Sequence, residues 1–345
     1  MEACVMSTVL VTGATGRLGA NLVKSLVERG KRVRSFVMPF DGKKSKLDSL
    51  DTEVCWGELS DFDSLRRAVD GVDEIIHLAC VMVRPAGMSK SSYFDINVKG
   101  TYNLLEAAGE RAGQIRRFIF ASSDSTYTAQ NPAYLPMDEK HPQRPFFQYG
   151  MVKKLGEDLV RSLGLEYAIP TTILRFGTVM NCDEILRIFR AGYALGHLHD
   201  AIHPENSLYV AGIDRPWEAL AEAVKSPDQL VIPRGPDGRS WLHHPSDVRD
   251  TVAGIVLALE SDVAAGETFN ILAARGTAWE DAVQYIAERT GEEYADVRLA
   301  SRWAFECDVS KARRILGYSP EFDYRRMIDD ALAYRQGADL GLIPT

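Results

Sequence analysis

The stretch that most restricts the fold lies near the start of the chain. Thr8–Val11 (TVLV) is a short apolar, β-branched run that stops at Thr12-Gly13, and Gly13, Gly16 and Gly19 then stand three residues apart. Leu18, Leu22, Val23, Leu26 and Val27 follow at spacings of three and four, and Gly30 supplies a stop. A run apolar on both faces predicts a buried parallel strand, and the three-and-four spacing predicts an amphipathic helix. The glycines let the backbone turn tightly and approach a ligand closely, while the helix presents free N–H groups and the positive end of its dipole. Strand, glycine turn and helix together predict a pyrophosphate cradle for a dinucleotide.

The same alternation continues. Val33–Val37, Val54–Trp56, Glu74–Ala79, Arg117–Ala121 and Thr171–Leu174 read as further strands, with helical patterns over Asp61–Val69 and Asn97–Ala112. Strands alternating with helices predict βαβ units, so the fold class is α/β: a doubly wound parallel Rossmann sheet with a smaller C-terminal substrate-binding lobe. The alternation weakens after Phe176, and 177–238 is rich in Gly, Pro, His and Trp. Helical patterns return over Asp247–Leu259, Ala278–Arg289 and Asp308–Leu316. The expected division is a dinucleotide-binding domain over 1–176, with late elements returning from about 231–262, and a lobe formed by 177–230 and 263–345.

Several classes fall away on composition. A net charge of -8 offers no basic face for nucleic acid. No stretch approaches the roughly 18 apolar residues needed to span a bilayer, and the first residues carry no secretory pattern. Cys4, Cys55, Cys80, Cys182 and Cys307 are scattered, which predicts reduced thiols and a cytoplasmic protein. His197, His199 and His203 lie close in sequence and could hold zinc, but they read better as part of a lobe loop, and no metal is expected.

Tyr149 and Lys153 stand four apart, on one face if helical. A phenol is a poor base at neutral pH, and a nearby ammonium favours its phenolate. Upstream, Arg117–Ala121 ends in Ser122-Ser123-Asp124, placing hydroxyls at the carboxyl end of a parallel strand, where ligands collect. Such a hydroxyl can steady a reacting oxygen while the phenol exchanges its proton.

These features occur in the order seen in the extended short-chain dehydrogenase/reductase family, of the NAD-dependent epimerase/dehydratase type, which the chain resembles from about Thr8 to Asp330. The resemblance is carried by the glycine loop, His77-Leu-Ala79, Asn97-Val-Lys-Gly-Thr101, Ser122-Ser123 with Tyr127, Tyr149 with Lys153, Arg239 through Asp247-Val, and Asp308 through Pro320. It implies Ser123, Tyr149 and Lys153 as the catalytic set. It implies cofactor contacts at Gly13, Thr15, Gly16, Arg17, Leu18, Gly19, Glu58, Leu59, Leu78, Ala79 and Asn97, besides Tyr149 and Lys153. Substrate contacts are implied at Ser123, Asp124, Ser125, Thr178, Arg239 and His243, with Arg239 where sugar-nucleotide members hold a pyrophosphate. NAD is the expected cofactor, with NADP left open: the second strand ends in Met38-Pro39 with neither acid nor arginine, while Arg17 and Lys43 could reach a 2′-phosphate.

The implied activity is hydride transfer at a secondary alcohol or ketone carbon of a sugar or sugar derivative, by an epimerase or dehydrogenase that forms a homodimer. Two departures matter. Thr178 replaces the family's usual asparagine, and Asp124 is followed by Ser125 where nucleotide-sugar dehydratases carry a glutamate. Phe176 and Met180 make the region less polar, so an NADPH-dependent reductase of a less polar ketone or aldehyde stands as an alternative. A non-catalytic dinucleotide sensor is the other.

Overall fold

The computed structural model describes residues 7–127, 132–204, 206 and 208–345; Cys4 lies outside them. The first half alternates as expected: β1 (Thr8–Thr12), α1 (Arg17–Glu28), β2 (Arg32–Val37), β3 (Thr52–Trp56), α2 (Phe62–Val69) and β4 (Glu74–His77). Then come α3 (Lys90–Phe94), α4 (Gly100–Gly109), β5 (Arg117–Ser123), α5 (Gln148–Glu166) and β6 (Thr171–Phe176). Every residue of β1, β4, β5 and β6 is buried, which is why these runs read as continuous rather than alternating. Between α3 and α4 the expected continuous helix widens into one π turn, Asp95–Lys99, where Asn97 turns its side chain to the loop after β4.

The lobe begins with β7 (Thr178–Met180), α6 (Ile185–Ile188), α7 (Ala191–His199), α8 (Glu218–Ala223), β8 (Leu230–Arg234), β9 (Leu242–His243) and β10 (Pro245–Asp247). After them run α9 (Val248–Glu260), β11 (Thr268–Ile271), β12 (Thr277–Ala278), α10 (Trp279–Thr290), β13 (Tyr294–Arg298), α11 (Ser310–Leu316) and α12 (Tyr324–Arg335).

Seven strands form one sheet in the order β11-β6-β5-β4-β1-β2-β3, with parallel pairing throughout. The chain first winds from β1 towards β3 and then from β4 outward on the other side. A crevice therefore opens at the carboxyl ends of β1 and β4, with the end of β5 next to it. The elements returning to this sheet are α9, which lies within the 231–262 expected, and β11, which lies beyond it. Leu230–Arg234 instead pairs with Tyr294–Arg298 inside the lobe. Pro233 supplies no backbone donor, which suits a small two-stranded pair better than the middle of a large sheet.

Two apolar clusters fill the faces of the large sheet. One holds Leu22, Leu26, Ile255 and Leu259 from α1 and α9, and the other Leu65, Leu104, Leu105 and Val160 from α2, α4 and α5. A third cluster, around Phe189, Trp241, Trp279 and Ile286, is the core of the lobe. Among the described residues no helix is long and apolar enough to cross a membrane.

Candidate active site

The glycine turn is held against the loop after β4. Gly13 has φ +71°, and a Cβ there would sit 2.8 Å from the Ala79 amide nitrogen. A Cβ on Gly19 would meet the Gly13 carbonyl at 2.0 Å. Both positions demand glycine. No side chain caps the N-terminus of α1, whose first turn carries no acid, so its N–H groups remain open to an anion. The cradle thus fits a dinucleotide pyrophosphate.

Its walls are pinned from below. Thr12 Oγ1 bonds Nδ1 of His77 at 2.7 Å, and His77 Nε2 bonds Thr101 Oγ1 at 3.0 Å. Burial, reinforced by the charge of Lys153, lowers the His77 pKa to about 3, so this imidazole is a neutral strut. Leu78 and Ala79 are half-buried on the loop that follows. Asn97 clamps that loop at both polar groups of Val81, accepting from the amide at 2.8 Å and donating to the carbonyl at 3.2 Å. Leu59 is buried against Gly100, while Glu58 stands exposed beside it.

The loop after β2 supplies an acid that strand-end reasoning missed. Thr15 Oγ1 donates to Asp41 Oδ2 at 2.6 Å, bringing a carboxylate back onto the glycine turn four residues past the strand. Phe40, at φ +62°, makes the reversal. Arg17 is not free for a phosphate: Glu184 pairs with it at 2.8 Å, and it donates to the Val179 carbonyl at 3.2 Å. Lys46 lies nearby, its Nζ buried without a hydrogen-bond partner; burial, then the charge of Lys43, lowers its pKa.

The two serines ending β5 have different jobs. Ser122 Oγ donates to Glu157 Oε1 at 2.5 Å, and Glu157 is paired with Arg175 at 2.7 Å in the core. Burial would raise the Glu157 carboxyl, but the Arg175 guanidinium and Ser122 bring it down to about 2. Ser122 is therefore tied to the scaffold. Ser123 faces the crevice: its Oγ donates to Asp124 Oδ1 at 2.9 Å and accepts from the Ser125 amide at 3.1 Å, and it acts on the Tyr149 phenol.

Tyr149 lies in the first turn of α5. The next residue is Gly150, where a Cβ would sit 2.0 Å from the Ser125 carbonyl, so only glycine lets the helix start so close to this turn. One turn on, Lys153 is buried, donates to the Ala121 carbonyl at 2.7 Å, and sits 5.9 Å from the centre of the Tyr149 ring. The expected lowering of the phenol pKa by Lys153 is not what this geometry gives. Burial pushes the Tyr149 phenol up, Cys80 and Asp124 push it the same way, and the Ser123 hydrogen bond opposes them. Burial likewise raises the Asp124 carboxyl to about 6 against its hydrogen bonds from Ser123 and Ser125.

Across the crevice, Thr178 Oγ1 and His243 Nε2 bond at 3.0 Å, and Tyr193 stacks on His243 with ring centres 5.6 Å apart. Tyr193 escaped the sequence reading because its helix carries no motif. Arg239 is not drawn to this group: it is exposed on a turn and donates to Asp237 at 2.6 Å. The three histidines of the lobe separate, His197 lying between Tyr193 and Trp303, His199 against Trp217 and His203 against Phe146.

The model of the NAD dependent epimerase/dehydratase family matches residues 9–181, half of the chain, spanning the glycine turn, Ser123, Tyr149 and Lys153. The chain belongs to this family. A short-chain dehydrogenase/reductase superfamily protein from Agrobacterium tumefaciens, solved with bound NAD, superposes with TM-score 0.81 at 31% identity, covering 95% of this chain and 97% of that one. The UDP-glucose 4-epimerase of Corynebacterium glutamicum is 26% identical over 332 residues, 94% of each chain. A stronger but shorter likeness, 43% over 126 residues, links this family member to the 3 beta-hydroxysteroid dehydrogenase/Delta 5-->4-isomerase of Mycobacterium tuberculosis. That match covers 35% of this chain and only about a third (32%) of the steroid enzyme.

Proposed function

We propose that this protein is an NAD-dependent hydride-transfer enzyme acting on a secondary alcohol or ketone carbon of a sugar or sugar derivative, as an epimerase or dehydrogenase. The observation that carries the reading is the pairing of Tyr149 and Lys153 one turn apart on α5, with Lys153 Nζ 5.9 Å from the centre of the phenol ring, at the mouth of a glycine cradle that fits a dinucleotide. The full-length likeness to a sugar epimerase supports the substrate class, and the NAD-bound neighbour supports the cofactor.

NAD supplies a hydride acceptor and donor at its nicotinamide ring; the chain manages the proton. Tyr149 gives its phenolic proton to a substrate oxygen that gains charge, or takes the proton back from the hydroxyl. Ser123 donates to that same oxygen and fixes its direction. Lys153, bonded to Ala121, presents its charge one turn from the phenol. Asp124 and Ser125 hold the adjacent hydroxyls of the substrate, with Thr178 and His243 closing the far side. Asp41 is the group that takes the adenosine ribose 2′-hydroxyl.

Cofactor choice has a second reading in Lys46, whose orphaned Nζ beside Lys43 and Arg17 suits a 2′-phosphate. The reductase of less polar ketones loses support, because Phe176 and Met180 pack into the two cores rather than into the crevice. We also infer a homodimer: Phe94, Tyr102 and Met151 leave large apolar groups exposed on α3, α4 and α5.

Tyr149→Phe tests the core of the proposal. It is expected to cut kcat about 10²- to 10⁴-fold while leaving NAD affinity, followed by tryptophan quenching, within twofold. Full turnover in the variant would end the acid–base assignment.

A further inference from the structure

Two buried carboxamides lie beside the dinucleotide cradle and take no part in hydride transfer. Asn21 sits on α1 one turn beyond Arg17, and Asn181 directly follows β7; both are buried. One short stretch of chain meets them both. Asn21 Oδ1 accepts from the Ile343 amide at 2.9 Å, while its Nδ2 donates to the Ile343 carbonyl at 3.0 Å and, within α1, to that of Arg17. Asn181 Nδ2 donates to the same Ile343 carbonyl at 2.8 Å and to Thr345 Oγ1 at 3.4 Å. Residues 341–345 thus lie as a strap across two elements far apart in sequence.

Those elements meet where the pyrophosphate fits. α1 offers its open N-terminal N–H groups, and β7 continues the segment that leaves β6. In the sheet β6 is separated from β1 by β5 and β4, about 14 Å at ordinary strand spacing. The segment nevertheless reaches α1. Arg17 donates to the Val179 carbonyl at 3.2 Å and pairs with Glu184 at 2.8 Å, and Glu184 accepts from the Asn181 amide at 2.8 Å. Arg335, at the end of α12, grips this segment through Asp183 at 3.0 Å. The crevice is therefore bridged beside the cradle, and the strap pins the bridge.

We propose that residues 341–345, held by Asn21 and Asn181, are a clasp on the cofactor cleft: the dinucleotide enters and leaves only when the strap lifts and segment 178–184 parts from α1. The strap is made to lift. Gly341, Pro344 and Thr345 are exposed and only Leu342 and Ile343 are half-buried, so peeling it away uncovers little apolar surface. Gly341, at φ +67°, marks the bend where it turns in. Once it lifts, both carboxamides pass to water instead of staying buried and unpaired, which keeps the opening cheap. Every partner in the clasp belongs to the chain itself, and this gives it a kinetic signature. A gate that must open for passage in either direction slows entry and exit alike. A group that holds the cofactor by direct contact slows exit alone. The clasp rests on the dinucleotide cradle and not on the identity of the substrate.

The test is stopped-flow binding of 1,N6-etheno-NAD and 1,N6-etheno-ADP-ribose to the full chain, with release followed on chasing with excess NAD. Two variants leave the cradle untouched: deletion of residues 341–345, and Ile343→Pro, which removes the amide that Asn21 accepts from. Ile343→Pro should raise kon and koff together about fivefold, the worth of one neutral hydrogen bond. The deletion should raise both about five- to thirtyfold, and Kd should stay within about threefold in each. Urea unfolding confirms that both variants are folded. Rates unchanged in both folded variants would overturn the clasp. So would a rise in koff alone, which would make the strap a support for binding contacts and not a gate. ADP-ribose lacks the reacting ring, so these rates contain no hydride step; a chain that turned over no sugar would sink the proposed function and leave the clasp standing.

Discussion

Asp124→Asn removes a charge that the folded chain resists carrying, and its effect on stability has a defined pH course. The side chain is half-buried, accepts from Ser123 and Ser125, and has its pKa raised from 3.8 to about 6 by burial. Between those values the folded state holds a proton that the unfolded state has lost. Protonated Asp124 thus costs nothing below about pH 4, and stability drains away as pH climbs to 6, then stays lowered. A rise of about two pH units corresponds to about 3 kcal/mol at pH 8. Asparagine fills the same space, still accepts from both serines, and does not titrate. Urea unfolding of the two proteins at pH 4.5, 6 and 8 is the assay. The advantage of the variant should be about 1 kcal/mol or less at pH 4.5 and should grow by about 2 kcal/mol by pH 8. A difference that stays flat across this range, or one that shrinks as pH rises, would show that the carboxyl ionises freely in the folded chain.

Three further outcomes follow from the same contacts. Glu157→Ala strands Arg175 in the core without its carboxylate and should cost about 3–5 kcal/mol in urea unfolding, against about 1 kcal/mol for Ser122→Ala. Asp41→Ala should weaken NAD about tenfold and narrow the preference over NADP, whereas Lys46→Ala should weaken NADP alone; fluorescence titration of both nucleotides in both variants decides which side chain reads the ribose. Light scattering should give twice the 38.3 kDa chain mass, and Tyr102→Asp, adding charge beside Glu106 and Glu166, should yield the monomer.

What the sequence disclosed follows from how local each cause is. The glycine turn is a local steric demand: Gly13 and Gly19 have no room for a side chain, so the pattern survives in the letters. Tyr149 and Lys153 share a helix face for the same reason. The two serines were indistinguishable as letters, and only Glu157, 35 residues away from Ser122, assigns one to the scaffold. Arg17 read as a phosphate ligand because its partner, Glu184, lies 167 residues further on. Asp41 was passed over because a left-handed Phe40 folds it back to Thr15, which no strand-end rule anticipates. Tyr193 lies in a stretch with no repeating pattern, Trp241 and Trp303 lie outside helices, and Trp279 opens a helix legible from its pattern, so their convergence is a property of tertiary packing alone.

Burial biases Tyr149 toward its protonated form. Asp124 is pushed the same way by burial, while Lys153 donates to the Ala121 carbonyl. A phenol biased in this way gives a proton more readily than it takes one. Ketone reduction can start from it directly, whereas alcohol oxidation first requires the phenol to ionise. Below about pH 6, where Asp124 loses its charge, one of the groups raising the phenol pKa falls away. The basic limb governing oxidation should therefore move to lower pH in Asp124→Asn, while reduction, which draws on the proton already present, should keep its profile. A pair of pH–rate curves that shift together would instead place the controlling ionisation on some group other than the phenol.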